Sequence, residues 1–133
     1  MEKRRLSEEP IRFPLPRRRA SAKLKSVDGK EEFDLDMYLG DIDFPRFSMQ
    51  LRARQTVILV RLELDGPVHE NPDQTKISTP HLHLYREGAG DSWAYPISSD
   101  EFTDLSDKWI LWKDFMRFCN ISIPPRIQRE VFS

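Results

Sequence analysis

Residues 46–64 read RFSMQLRARQTVILVRLEL and predict two β-strands joined by a tight turn. Apolar and polar residues alternate up to Ala53, and the alternation resumes with the opposite parity at Ile58. A two-residue loop at positions 54–55 explains this switch, because it pairs Leu51 with Ile58 and keeps both apolar sets on one sheet face. The loop lacks an Asn-Gly turn, so a longer turn or a bulge is the alternative.

Further segments extend this hairpin into an antiparallel sheet of four to five strands. Residues 32–39 (EFDLDMYL) alternate as a strand with one apolar face, and residues 81–86 (HLHLYR) and 92–97 (SWAYPI) supply two more strands. The period changes over residues 106–119 (SDKWILWKDFMRFC), where apolar side chains fill half of a helical wheel. The sequence therefore predicts the α+β class, with a C-terminal α-helix packed on one face of the sheet.

The ends of this helix are marked by residues that commonly cap helices. Ser106 or Asp104 is expected to cap its start, and Asn120 is expected to end it. Asp114 falls on the polar half of the wheel, so its side chain is expected to face solvent.

The charge of the chain is unevenly distributed, although the net charge of its 133 residues is only -1. Residues 1–25 carry nine Lys or Arg and three Glu, a net charge of +6, and the remainder carries twelve basic and nineteen acidic residues, a net charge of -7. Residues 13–23 (FPLPRRRASAK) combine two prolines with three arginines. Residues 1–29 are therefore predicted to form a basic, partly extended arm, in front of one domain over residues 30–133. Such an arm favours contact with nucleic acid, an acidic protein or the chain's own acidic body.

The composition also limits where the protein acts. Cys119 is the only cysteine, which excludes an internal disulfide framework and agrees with a cytosolic compartment. No apolar run approaches the roughly 18 residues of a membrane span, and no apolar stretch follows the basic N-terminus as in a secretory signal. We expect a cytoplasmic protein with no membrane partner and no cofactor.

The parity of the strands predicts which side chains lie on the face that the helix leaves open. His81, His83 and Tyr85 share this face, because Leu82 and Leu84 point to the core. We consider three functions for such a face.

Binding of a macromolecular partner, either a nucleic acid or a protein, is the function that we favour. Arg, His and Tyr are common at interfaces, although pairs such as Asp34–Arg52 and Arg46–Glu63 are also what a solvated sheet face normally carries. The predicted contact residues are Arg17, Arg18, Arg19, Arg46, Arg54, Arg61, His69, Asn71, Asp73, Arg86 and Asp91.

A metal-independent endoribonuclease is the second function. His81 or His83 would transfer protons, and an arginine would stabilise the charge that develops on the phosphate. Asp34 and Asp36 oppose this function, because they repel phosphate unless arginines neutralise them. The predicted catalytic residues are His81, His83, Tyr85 and Arg52.

Metal binding through His69, His81 and His83 is the third function. A His-x-His pair on a strand directs both imidazoles to one side, but a site needs a third or fourth ligand. The candidates for that ligand are His69, Glu70, Asp73 and, if the third and fourth strands pair closely, Glu63. The spacing alone does not select among them, so the sequence assigns no metal ligands.

Residues 53–96 resemble a family of small uncharacterised bacterial proteins. Its pattern is a Gly-Pro-x-His-x-Asn-Pro-Asp loop, a Pro-His-Leu-His-x-Tyr-Arg-Glu-Gly strand, a Gly-Asp-x-Trp turn and a late helix similar to DFMRFCNI. The match extends from about residue 30 to the end of the chain. The resemblance implies a protein of bacterial genomes or mobile elements, for which a toxin–antitoxin or defence role is expected by analogy. It directs attention to His69, Asn71, Asp73, His81, His83, Tyr85, Arg86, Gly88 and Asp91.

Overall fold

The computed structural model describes residues 1–12, 14–15, 17–40 and 47–128, which contain ten strands and one helix. The elements, in chain order, are β1 (Lys3–Arg5), β2 (Arg18–Ser26), β3 (Glu32–Leu39), β4 (Phe47–Ala53), β5 (Val57–Glu63), β6 (His69–Glu70), β7 (Lys76–Ile77), β8 (His81–Leu84), β9 (Ala94–Pro96), α1 (Lys108–Phe118) and β10 (Ile121–Ile123). Eight strands form one sheet in the order β10-β1-β2-β3-β4-β5-β8-β9, and β6 and β7 form a separate hairpin. No helix in these ranges is both long enough and apolar enough to cross a membrane.

The α+β class, the mostly antiparallel sheet and the C-terminal helix are confirmed, but the sheet has eight strands rather than four to five. Two of the additional strands, β1 and β2, lie within residues 1–29, which the sequence assigns to a partly extended arm. β2 pairs with β3 along its length, from Arg18 opposite Leu39 to Lys25 opposite Glu32. Basic residues of β2 alternate with small or apolar residues that pack on the core. Without the neighbouring strands, such a sequence has the composition of a solvent-exposed segment.

One hydrophobic core fills the space between the sheet and α1. The core consists of every second residue of the central strands and of the apolar face of the helix. The two-residue period of a strand and the 3.6-residue period of a helix predict this. Its fully buried members include Leu24, Leu35, Met37, Met49, Leu51, Leu62, Leu111, Trp112 and Phe115. Burial of each such side chain contributes roughly 1.5–3 kcal/mol, which makes this layer the main source of stability.

The β4–β5 hairpin has a longer turn than the two-residue loop of the prediction. Leu51 lies opposite Val60 rather than Ile58, and a bulge follows Leu51. The strands end at Ala53 and resume at Val57, so the turn has three residues between them. Because of the bulge, Ile58 lies opposite Arg52, on the sheet face away from the core.

The helix α1 begins and ends close to the predicted positions. Asp107 caps its start in place of Ser106 or Asp104, and its side chain accepts hydrogen bonds from two backbone N–H groups of the first turn. Asn120 adopts a left-handed conformation with a φ of 58°, which ends the helix as predicted.

Asp114 of α1 is buried, which differs from the solvent-facing position that the wheel predicts. Its Oδ2 accepts hydrogen bonds from the backbone N and the Oγ1 of Thr103, at 2.9 and 3.0 Å. Burial acts to raise the pKa of Asp114, but these bonds and one from Arg117 outweigh it and hold the pKa below its usual value. The carboxylate thus anchors the segment before the helix.

The two ends of the sequence meet at one edge of the sheet. β1 pairs in parallel with β10, and the ammonium group of Lys3 donates a 2.8 Å hydrogen bond to the backbone oxygen of Cys119. A cation at the C-terminal end of a helix is favourable, because the last carbonyl groups have no partners within the helix.

Candidate functional site

The sheet face opposite α1 contains a buried ion pair between β3 and β4. Asp36 is 1 % exposed, and its two oxygens accept bonds of 2.6 and 3.0 Å from Nε and Nη2 of Arg52. Ser21 and Gln50 donate to the same carboxylate. Asp34 lies opposite Arg52 in the strand register, as predicted, and 4.0 Å from its guanidinium, but the shorter contact of Asp34 is with Lys23, at 2.9 Å.

The hydrogen bonds of this network determine the charge state of Asp36. Burial acts to raise the pKa of Asp36, but the hydrogen bonds from Arg52, Ser21 and Gln50 together outweigh it. The pKa is therefore below its usual value of 3.8, and the carboxylate is ionised at neutral pH. Arg52, a predicted catalytic residue, is engaged by this internal carboxylate.

A second polar group lies toward the other edge of the sheet, where β5 and β8 pair. His81 lies opposite Glu63, and His83 lies opposite Arg61. The histidines share one side of β8, and their ring centroids are 4.9 Å apart. They are only 1 % and 2 % exposed, which differs from the open surface that the sequence predicts, because the chain on either side of β8 covers them.

His69 brings the loop between β5 and β8 onto this pair. Its ring centroid is 4.6 Å from that of His83 and 6.1 Å from that of His81. The loop is fixed by the buried side chain of Asn71, which donates to the backbone oxygen of Ala94 at 3.0 Å and accepts from its nitrogen at 2.8 Å. Asn71 thereby satisfies both backbone groups of Ala94 in the edge strand β9.

Two of the three imidazoles are oriented by backbone oxygens. Nε2 of His69 lies 2.7 Å from the oxygen of Ser92, and Nδ1 of His83 lies 2.9 Å from the oxygen of Asp91. Carbonyl oxygens only accept hydrogen bonds, so these two nitrogens are assigned the protons. The other nitrogen of each neutral ring then has a free lone pair, as in metal-bound histidines.

Within the described part of the chain, neither ring nitrogen of His81 has a hydrogen-bond partner, although the ring is buried. Its Nε2 lies 3.5 Å from Oε2 of Glu63, and Nε2 of His83 lies 3.8 Å from Oε1 of the same residue. Both separations are too long for a good hydrogen bond. Two ligand atoms of one tetrahedral Zn²⁺ ion, each about 2.0 Å from it, stand about 3.3 Å apart. The spacing thus suits an ion between these groups better than direct contact.

Packing of the rings against one another is the simpler alternative. The three imidazoles meet edge to face, with interplanar angles of 66° to 82°, which is a common arrangement of aromatic rings. Ring packing explains these angles, but it leaves both nitrogens of His81 unpaired. An unsatisfied buried polar group costs about 1–3 kcal/mol, so packing alone does not account for a histidine at this position.

The protonation state of His83 agrees with metal binding. Burial is the largest cause that lowers the pKa of His83 below its ordinary value of 6.5, and it outweighs the hydrogen bond to the Asp91 oxygen. The nearby charge of Arg61 lowers the pKa further, and that of Glu63 opposes it. The ring is therefore neutral at neutral pH, which is the form that coordinates metal ions.

Arg61 forms ion pairs with both Glu63 and Asp91. Its Nε lies 2.8 Å from Oε1 of Glu63, and its Nη1 lies 3.0 Å from Oδ2 of Asp91. The same Asp91 orients His83 through its backbone oxygen. Among the described residues, Glu63, His81 and His83 form a group whose ligand atoms all lie within 4.8 Å of one another. We call these three residues and His69 the histidine cluster.

A family model matches residues 1–121, from the N-terminus to the first residue of β10. The chain belongs to DUF6978, a family of unknown function. The match includes every residue of the histidine cluster, as well as β1 and β2. It confirms the resemblance to an uncharacterised family, whereas the bacterial and mobile-element origin stays a prediction. No curated protein and no solved structure matches the chain significantly.

Several residues predicted for the site have other roles in this DUF6978 protein. Tyr85 follows the end of β8, and its ring lines a separate hollow with Leu59. Arg86 lies over the ring of Trp93, with 4.2 Å between the guanidinium carbon and the ring centroid. Asp73 accepts a 3.0 Å hydrogen bond from a backbone N–H two residues later and closes the loop turn.

The predicted arginines of the N-terminal segment lie away from the cluster. Arg18 and Arg19 begin β2, directly after Arg17, and the strands β3, β4 and β5 separate β2 from β8 in the sheet. Arg54 lies in the β4–β5 turn, and Arg46 lies outside the described residues. The structure therefore gathers Arg61, His69, Asn71, His81, His83 and Asp91, and it does not bring Arg17, Arg18, Arg19 or Arg54 to them.

Proposed function

We propose that the protein binds a divalent transition-metal ion through Glu63, His81 and His83, with His69 as the fourth ligand. The observation that carries this proposal is the buried ring of His81, which has no hydrogen bond and lies 3.5 Å from the Glu63 carboxylate. A metal ion would bind Nε2 of His81 and the carboxylate of Glu63 at once, which offsets the cost of burying them, while Nδ1 of His81 carries the ring proton.

The donor set selects the class of metal. Imidazole nitrogens suit Zn²⁺, Ni²⁺, Cu²⁺ and Fe²⁺, whereas Ca²⁺ and Mg²⁺ require oxygen ligands. No thiolate contributes, because the single cysteine, Cys119, is buried in the core. We take Zn²⁺ as the reference ion, since it accepts three nitrogens and one carboxylate oxygen in tetrahedral geometry.

The ring of His69 lies next to those of His81 and His83, which supports it as the fourth ligand, although its nitrogens lie outside the 4.8 Å group of Glu63, His81 and His83. Three imidazoles around one tetrahedral ion have ring centroids about 5 Å apart. The centroids of His69, His81 and His83 are separated by 4.6, 4.9 and 6.1 Å. Nδ1 of His69 is the nitrogen left free by the bond to Ser92. With four protein ligands the ion would attach the 65–80 loop to the sheet.

The endoribonuclease alternative receives less support from the same geometry. Arg52 is held by Asp36, and Tyr85 lines a different hollow. Arg61 lies opposite His83 on the neighbouring strand, and its guanidinium forms ion pairs with Glu63 and Asp91. No phosphate-stabilising arginine of the predicted set is thus left beside His81 and His83.

The test is a metal titration of the full chain purified without a histidine tag and treated with a chelator. We expect one Zn²⁺ per chain, and visible absorption bands of tetrahedral Co²⁺ when cobalt replaces zinc. Glu63→Gln and His81→Ala should each weaken Zn²⁺ binding by about 100-fold or more, because each removes a ligand.

Glu70→Gln is the matched control, because it removes the exposed carboxylate next to His69 and should leave the affinity unchanged. The thermal unfolding of each variant shows whether it is folded. Equal Zn²⁺ affinity of the parent, Glu63→Gln and His81→Ala would refute the proposed site.

A further inference from the structure

A groove lies between α1 and the chain that follows β10, at the sheet edge opposite to the histidine cluster. Its volume is about 680 Å³, which falls within the range of about 300–1,000 Å³ that is usual for ligand sites. Its floor is apolar and consists of Trp109, Trp112, Met116, Ile121, Pro125 and Ile127.

Every ionisable side chain that lines the groove in the described part of the chain is basic. Lys113 and Arg117 come from α1, and Arg5 and Arg126 come from the strand β1 and the segment after β10. The net charge of the whole chain is -1, so four cations around one apolar floor are not a consequence of composition. The cations belong to three separate elements, which places positive charge around the floor.

Among the residues that the structure describes, two carboxylates contact these cations. Glu8 lies 3.2 Å from Arg5 and 3.9 Å from Arg126, and its side chain is 73 % exposed. Exposed ion pairs of this kind contribute about 0–1 kcal/mol, so another carboxylate can replace Glu8 at little cost. Arg117 uses Nη1 to bind the buried Asp114, and its side chain is otherwise largely exposed. With these two carboxylates included, the local charge is +2.

We infer that this groove is the docking site for an acidic amphipathic segment of a partner protein. Apolar side chains of the segment would occupy the floor, and its carboxylates would bind the basic rim, as when an amphipathic helix binds in a groove. Nucleic acid fits less well, because Trp112 is buried and the ammonium group of Lys113 lies over the ring of Trp109, 5.8 Å from its centroid, where a base would stack. The inference is independent of the metal site.

The test uses two fluorescein-labelled peptides of 14 residues, with leucine at helical spacing and either Glu or Lys at the remaining positions. Fluorescence anisotropy with the full chain should show a dissociation constant at least tenfold lower for the Glu peptide. Lys113→Glu/Arg126→Glu should raise that constant at least tenfold. Lys30→Glu/Lys76→Glu changes the net charge equally at two exposed positions outside the groove, and it should leave binding unchanged.

Other results would overturn the inference. One is an equal affinity for both peptides, and another is an equal loss in the control variant. Displacement of the Glu peptide by a single-stranded oligonucleotide would assign the groove to nucleic acid. A dimer in sedimentation that Lys113→Glu/Arg126→Glu dissociates would assign it to a second copy. If the Phe132→Ser variant bound the Glu peptide tenfold more tightly than the parent, the groove would be assigned to the chain's own C-terminal residues.

Discussion

Two polar groups lie on the same face of the sheet, and they differ in how well the protein satisfies them. Around Asp36, both carboxylate oxygens accept hydrogen bonds, and the donors are Arg52, Gln50 and Ser21. In the histidine cluster, both nitrogens of His81 have no hydrogen bond, and Glu63 faces two imidazoles at 3.5 and 3.8 Å. The two side chains are equally buried, since Asp36 and His81 are each 1 % exposed.

The difference indicates which of the two groups is structural. Buried polar groups in folded proteins are hydrogen-bonded, and an exception requires an explanation. The Asp36 network needs nothing from outside the chain, so we interpret it as a structural ion pair. In the histidine cluster, the ring nitrogens of His81 have no hydrogen-bond partner among the described residues, and the proposed metal ion would bind one of them. Variants of the two groups should therefore respond differently.

The largest effect is expected for Arg52→Met, which leaves the buried Asp36 without its charged partner. Loss of one member of a buried ion pair costs about 3–5 kcal/mol of the free energy of unfolding. Urea denaturation followed by circular dichroism measures this loss. Asp36→Leu/Arg52→Met should regain most of the stability, because no unpaired charge is then buried. A loss below about 1 kcal/mol for Arg52→Met would show that the network is not structural.

A smaller effect is expected for Asn71→Ala, which frees the loop that carries His69. The change removes two buried hydrogen bonds and leaves the backbone of Ala94 unsatisfied, at a cost of about 2 kcal/mol. Because His69 is then less well positioned, Zn²⁺ affinity should fall by about tenfold. Unfolding and metal titration measure the two effects, with Gln128→Ala as the control amide outside this loop. Unchanged Zn²⁺ affinity would show that the loop carrying His69 does not take part in metal binding.

The smallest effect is expected for His81→Leu in metal-free protein. Removal of the unsatisfied imidazole stabilises the protein by about 1–3 kcal/mol, and the different shape of leucine in a packed site costs about the same, so the free energy of unfolding should change by less than about 1 kcal/mol. With saturating Zn²⁺, the parent should gain about 2.7 kcal/mol at a hundredfold excess over its dissociation constant, and the variant should gain nothing. A loss above about 3 kcal/mol without metal would place His81 among the structural groups, like Asp36.

The sequence predicts the elements whose side chains alternate strongly, and it fails where the alternation is weak. β3, β4, β5 and α1 contain large apolar residues at the correct period, so their existence and orientation could be predicted. β2 falls in the segment that the sequence predicts to be a basic, partly extended arm, because only small residues and Leu24 mark its inner face. Asp36 was therefore predicted to be open to solvent, since its burial depends in part on Ser21 of that strand.

The histidine cluster could be predicted in part. His81 and His83 share a side because of the two-residue period of a strand. Glu63 follows from the antiparallel register, which places it opposite His81 once the fourth strand is known to pair with the third. The position of His69 could not be predicted, because a loop of this length has no fixed path. The side chain of Asn71 holds the loop, and the sequence contains no signal for that contact beyond the family pattern.

The parallel pairing of β1 with β10 has a consequence for biosynthesis. Residues near the N-terminus leave the ribosome first, but the backbone oxygen that Lys3 binds belongs to a residue synthesised 116 positions later. The edge of the sheet therefore closes only after translation has passed the helix. Until then, the apolar inner face of β2, formed by Ala20, Ala22 and Leu24, lacks the helix that covers it in the folded protein, and chaperones can act on it.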